Sequence, residues 1–114
     1  MELQVRELEG GIRSISLSGK LDAAAIQQID LKFTALTATQ KAKILVDLSE
    51  VKLLASIGMR LLVSNAKAQN LRGGMMVLYR PTGGVEDVLR TTGIDAIIPV
   101  AHDMATARKA LGLA

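Results

Sequence analysis

Ser56 stands in "VKLLASIGMRLL", residues 51–62, as a single hydroxyl in an almost wholly apolar run, with Gly58 two positions on. A serine so placed can do one of two things. Its oxygen can cap the start of a helix by accepting a backbone N–H. Or its hydroxyl can take up a transferred group, since a phosphoryl ester adds about two negative charges and three acceptor oxygens at one point. Ile57 and Met59 flank it, which suggests an apolar rim around a polar atom, as on a protein-docking surface. A helix N-terminus tolerates the new charge. A partner surface built to meet Ile57 and Met59 does not.

The other reactive side chains converge less well. Asp47 ends an aliphatic strand and Glu50 follows it in the loop, and ligands in α/β folds usually sit at the carboxyl ends of strands. Yet no nucleophile, base or metal set gathers around them. Asp47 is read as bonding backbone N–H groups in the turn "DLSEVK". His102, beside Asp103, is the one histidine of the chain, which leaves a Ser-His-Asp triad or a histidine metal site without its parts. Capping and surface roles suit this pair. Gly83–Gly84 opens a helix whose N–H groups can hold an anion, but no Lys-Ser/Thr pair follows and no GxGxxG is present. A turn and helix start account for it. The absence of cysteine excludes disulfide frameworks, zinc-thiolate sites and thiol catalysis. No catalytic residue, no metal-ligand set and no cofactor is expected. An enzyme built on Asp47 and Ser56 would lack its base.

The elements that position Ser56 follow from periodicity. "LQVRELE" sets Leu3 and Val5 against Gln4, Arg6 and Glu7, and "RSISLS" sets Ile15 and Leu17 against Ser14, Ser16 and Ser18. Alternation of this kind marks strands with one oily and one wet face, joined here by a hairpin turn at Gly10–Gly11. Ile15 and Leu17 are expected to be buried, and Ser14 and Ser16 more exposed. In "DAAAIQQIDLKFTAL" the period changes, and Ile26, Ile29, Phe33 and Leu36 share a helical face behind Asp22 as N-cap. "KILVDL", residues 43–48, is a strand. "GMRLLVSNAKAQNL" is a second helix, with Met59, Leu62, Val63 and Ala66 inward, Arg60, Ser64 and Lys67 outward, and Gly73–Gly74 at its end. "MMVLY" is a strand, "PTGGVEDVLRTTG" a short helix, "AIIPV" an edge strand, and "DMATARKALG" a helix capped at Asp103 and stopped at Gly112.

The order β-β-α-β-α-β-α-β-α predicts one α/β domain over residues 1–114, with a mostly parallel sheet behind an N-terminal antiparallel hairpin. If each strand adds beside the last, right-handed crossovers put the helices mainly on one face. The formal charge of +3 is spread along the chain, and the only aromatics are Phe33 and Tyr79. Neither feature suits a direct nucleic-acid reader. "MELQVRELEG" has no secretory h-region, and no run nears the roughly 18 apolar residues of a membrane span. A cytoplasmic protein without membrane insertion is expected.

Three segments carry a resemblance. "LSGKLDAAA" at 17–25, "ILVDLSEVKLLASIGMRLL" at 44–62 and "VLRTTGIDAIIPVAHDMATA" at 88–107, in this order and spacing, resemble the STAS domains, and among them the stand-alone anti-sigma factor antagonists. The resemblance covers almost the whole chain. It implies a non-enzymatic switch. In that family a loop serine is phosphorylated by an anti-sigma factor serine kinase and dephosphorylated by a metal-dependent serine phosphatase. The unphosphorylated domain binds the kinase and frees its other partner, often a sigma factor. Carried over by position, the acceptor is Ser56 and the loop glycine is Gly58, and Asp22 matches the aspartate of the earlier segment. The implied partner surface is Asp22, Ser56, Ile57, Gly58, Met59 and Arg60. Two positions depart from the family's pattern: Ala55 replaces the usual aspartate, and Ile57 the usual second hydroxyl. The alternative is a non-switching STAS adaptor, a subunit of a lipid-transport ATPase or of a signalling assembly, with Ile57 and Met59 as permanent contacts.

Overall fold

The computed structural model describes residues 2–113. Strand β1 (Glu2–Leu8) turns back through Gly10 and Gly11 into β2 (Ile12–Leu21), and the two pair antiparallel from Glu2↔Ser18 to Leu8↔Ile12. Both turn glycines have positive φ, 88° and 76°, a region open to them because they carry no Cβ. Then follow α1 (Ala23–Thr37), β3 (Lys43–Leu54), α2 (Ser56–Leu71), β4 (Met75–Tyr79), α3 (Gly83–Thr91), a 3-10 turn (Ile94–Ala96), β5 (Val100–Ala101) and α4 (Met104–Ala110). The sheet runs β1-β2-β3-β4-β5, parallel from β2 onward. Each strand adds beside its predecessor.

This order places the helices. The larger core lies between the sheet and α1, α2 and α3, and joins Ile15, Leu17, Val46 and Leu48 to Ile26, Phe33, Leu62 and Leu89. α4 follows the last edge strand and leads to no further strand, so no crossover dictates its side. It packs on the opposite face, where Ala107 and Leu111 cover Ile12, Leu45 and Val77. The helices thus lie mainly, but not wholly, on one face. Ile15 and Leu17 are buried as expected and Ser16 is half-exposed, but Ser14 is 9% exposed. Its neighbours on the flanking strands are Arg6 and Leu45, on the face that α4 partly covers. That face is not wet along its whole length.

Two strands differ from expectation. β3 does not stop at Leu48. It runs on to Leu54, paired with β2 alone beyond Asp47. Register shifts fall between Ser16 and Ser18 and between Gly19 and Lys20, and Gly19 has φ 92°. Asp47 does bond a backbone N–H, accepting from Ser49 N at 2.9 Å, but inside this irregular strand rather than in a terminating turn. Bulges of this kind bend and twist a strand pair without ending it. The last strand is shorter than "AIIPV". Ile94–Ala96 forms the 3-10 turn, and only Val100 and Ala101 pair with β4.

At the other end of the sheet a buried glutamine fastens the helices. The Gln69 side chain donates to Thr37 O at 2.6 Å and Gln40 O at 2.5 Å, and accepts from Ala42 N at 2.9 Å. Gly74 passes beside it, where any Cβ would strike Gln69 Oε1 and Ala42 O.

Candidate functional site

The extended β2–β3 pair carries two loops to one corner of the molecule. Leu21 and Leu54 are register partners at its end, and Ala55 N donates to Leu21 O at 3.1 Å. Asp22 follows the first and Ser56 the second. Asp22 is the N-cap of α1: Oδ1 accepts from Ala25 N at 3.0 Å. Gly58 is buried. A Cβ there would lie 3.0 Å from both Leu21 O and Leu54 Cδ1, so a glycine lets α2 start this close to the end of β2 without pushing those neighbours aside. Its role is to seat the loop from beneath.

Ser56 is not the helix cap. Ala55 is, with extended backbone angles (φ −80°, ψ 166°) and no side chain able to accept. The first helical bond is Met59 N to Ala55 O, at 3.0 Å. The N–H groups of Ser56, Ile57 and Gly58 precede that bond and are among the orphan donors of a helix start. Ser56 is exposed and, among the described residues, its hydroxyl has no hydrogen-bond partner. α2 thus starts with donors and no acceptor, and a free nucleophilic oxygen stands on its first residue. This terminus favours negative charge.

The rim around Ser56 is part apolar. Ile57 is 38% exposed, and Leu53, two residues before Ala55, is 46% exposed. Met59 is half-buried against the main core. Arg60 is exposed and, with Ile57, opens onto a groove of about 460 Å³ between α1 and α2, floored by Ile26 and Leu61 and edged by Asp30. The structure therefore brings Asp22, Ser56, Ile57, Met59 and Arg60 to one corner, with Gly58 beneath the surface. Leu53 and the groove were not singled out from the sequence. The exposure of Leu53 depends on how far β3 runs, and the groove on how α1 meets α2.

The remaining polar candidates lie elsewhere. His102 Nε2 is 2.7 Å from Glu86 Oε2, joining α3 to the start of α4. Asp103 caps α4, accepting from Thr106 N at 2.7 Å. That backbone bond, with the Thr106 side chain and the neighbouring His102, holds its carboxyl below the ordinary carboxylate value. Gly83 and Gly84 open α3 behind Thr82. A cavity of about 420 Å³ between Lys41, Lys43, Gly74 and Leu111 lies at the opposite end of the strands from Ser56. Among the described residues, no helix is long and apolar enough to cross a membrane.

A five-stranded sheet with one antiparallel edge hairpin, and a serine loop over the end of its central strand, defines an α/β domain of the STAS type. The STAS domain model matches residues 4–107, and the chain belongs to that family. Three solved structures share the fold. An anti-sigma factor antagonist from Mycobacterium paratuberculosis is 20% identical, with 97% of this chain and 93% of that one covered and a TM-score of 0.84. The anti-sigma factor antagonist SpoIIAA in its unphosphorylated form is 20% identical over 99% of both chains, with a TM-score of 0.76. The Bacillus cell fate determinant SpoIIAA in its phosphorylated form is 19% identical over 95% of this chain and 98% of that one, with a TM-score of 0.68. No curated protein matches the sequence closely.

Proposed function

We propose that this chain is a regulatory protein-binding switch, an anti-sigma factor antagonist of the cytoplasm. It binds an anti-sigma factor serine kinase while Ser56 is unphosphorylated, releases the kinase's other partner, and is reset by a metal-dependent serine phosphatase. One observation carries the reading: an exposed, unbonded Ser56 hydroxyl on the first residue of an uncapped helix, ringed by Ile57, Met59 and Arg60. The resemblance of the surrounding segments to STAS antagonists, and the shared fold of two structures that are themselves anti-sigma factor antagonists, support it.

The chemistry is a phosphoryl transfer in which the kinase supplies base, metal and nucleotide. Ser56 Oγ attacks the γ-phosphorus of ATP, a P–O bond forms to serine, ADP leaves, and the hydroxyl proton passes to the kinase's base. This chain contributes the nucleophile and its placement, and has no turnover of its own. Once formed, the phosphate lies among the orphan N–H groups of α2 and is tolerated by the fold. Against an apolar or acidic docking surface the same charge weakens binding, because desolvating it is costly without a paired cation.

The test is calorimetric titration of wild type, Ser56→Ala and Ser56→Asp against the cognate kinase, with intact-mass analysis after incubation with ATP. Ser56→Ala should bind and gain no phosphate, and Ser56→Asp should fold and bind markedly worse. If wild type gains no phosphoryl mass and Ser56→Asp binds as tightly as wild type, the switch is refuted. Ala55 and the exposed Ile57 would then favour the alternative, a fixed STAS adaptor of a lipid-transport ATPase or signalling assembly.

A further inference from the structure

We propose that β1 pairs antiparallel with β1 of a second copy of this chain, across a two-fold axis normal to the sheet and centred on Gln4. Among the described residues β1 pairs with β2 alone, so its outer edge carries a row of N–H and C=O groups outside any strand ladder. Exposed edges of this kind invite another strand unless they are short, bulged, broken by proline or blunted by unpaired charges. The far edge of the sheet is protected by shortness, since β5 has two residues. β1 has seven, an unbroken register with β2, and neither proline nor glycine; its charges, Glu2, Arg6 and Glu7, blunt the edge against any strand that does not pair them.

Symmetry and charge select the register. A two-fold axis normal to the sheet keeps the faces of both copies aligned, so even-numbered residues oppose even and odd oppose odd. Centring on Arg6 puts Arg6 against itself. Centring on Val5 puts Leu3 against Glu7 and Glu2 against Leu8. Centring on Leu3 leaves Arg6 beyond the end of the second strand. Centring on Gln4 puts Glu2 against Arg6 of the second copy, twice, and Leu3 against its Val5, twice. This is the register that pairs unlike charges and joins apolar to apolar.

The side chains are placed for it. Glu7 is engaged within the chain, by Arg13 Nε at 3.0 Å, whereas Glu2 and Arg6 have no ion pair among the described residues. Val5 is 37% exposed, although it is on the same face as Leu3, which packs against the main core. Pairing would extend that apolar layer across the join and set the two ion pairs on the serine-lined face. Residues 2–6 of each copy form a contact smaller than the roughly 1,200 Å² of stable interfaces. The association is therefore reversible and depends on concentration. The axis reverses strand direction, so the two Ser56 loops face opposite ends of a continuous ten-stranded sheet, and neither is covered. The proposal stands independently of the switch at Ser56.

The experiment is sedimentation velocity on the full chain from micromolar to millimolar concentration, with Glu2→Arg, Arg6→Glu and the double swap Glu2→Arg/Arg6→Glu. Circular dichroism and the thermal midpoint identify any variant that fails to fold. Wild type should pass reversibly from 12.1 kDa to twice that mass. Each single reversal sets like charges opposite each other at two places and should weaken association about tenfold or more. The double swap restores unlike pairs in this register and should associate as wild type does. A wild type that stays monomeric throughout, single reversals that associate normally, or a double swap that fails to recover would each overturn the proposal.

Discussion

Ala55→Asp should stabilise the protein. α1, α2 and α4 start in comparable ways but are finished differently. Asp22 accepts from the N–H three residues on at 3.0 Å, and Asp103 does the same at 2.7 Å. Ala55 has the extended backbone of a cap, anchored by its own N–H to Leu21 O, and no acceptor. An aspartate in the same relation to α2 would reach Gly58 N. Replacing alanine by a good cap is worth about 0.5–2 kcal/mol. For a domain of this size that raises the thermal midpoint by about 3–6 °C per kcal/mol. Urea titration should show a higher midpoint at unchanged slope. Ala55→Asn tests the mechanism, because it caps without charge. Any excess of aspartate over asparagine comes from the helix dipole, about 0.3–1 kcal/mol, and should fade in high salt. An aspartate variant no more stable than wild type would refute the claim that α2 starts uncapped. The change also sets an aspartate where the family usually has one, so any effect on the proposed phosphorylation must be compared at matched stability.

Three further substitutions and one pH effect follow from the same contacts. Ser56→Ala should change stability by less than about 0.5 kcal/mol in chemical denaturation, because the exposed hydroxyl bonds none of the described residues. Gly58→Val should cost about 1–3 kcal/mol, since its first carbon alone would lie 3.0 Å from a backbone oxygen, and hydrogen exchange should rise at the start of α2. Gln69→Leu should cost a similar 1–3 kcal/mol, by leaving the buried backbone groups it serves without partners. The lowered pKa of Asp103 means that its cap contributes stability above the unfolded value of 3.8 and loses it as pH falls through the lower folded value. Acid melts of wild type should therefore show a small loss at and below that value which Asp103→Ala lacks.

Most of this architecture was legible because it is local. Alternation marked β1 and β2, the 3.6-residue period marked α1, and the caps at Asp22 and Asp103 announced themselves by type and position. What escaped depends on partners distant in sequence. "SEVKLL" looks like a loop because its alternation is broken, and it is a strand only because β2 bulges alongside it. The side taken by α4 is set by no crossover, since no strand follows it, and the burial of Ser14 depends on that side. The role open to Ser56 turns on a single position. As an N-cap its oxygen would be committed to the helix, and modifying it would remove a structural bond. The tie from Ala55 N to Leu21 O starts the helix at Ser56 instead. That long-range bond leaves the capping position to an alanine and moves the hydroxyl onto the first helical residue, where it is open to solvent and, among the described residues, has no hydrogen-bond partner. A hydroxyl with no structural duty can gain and lose a phosphate without unfolding its own domain, and a reversible switch requires that property of its acceptor.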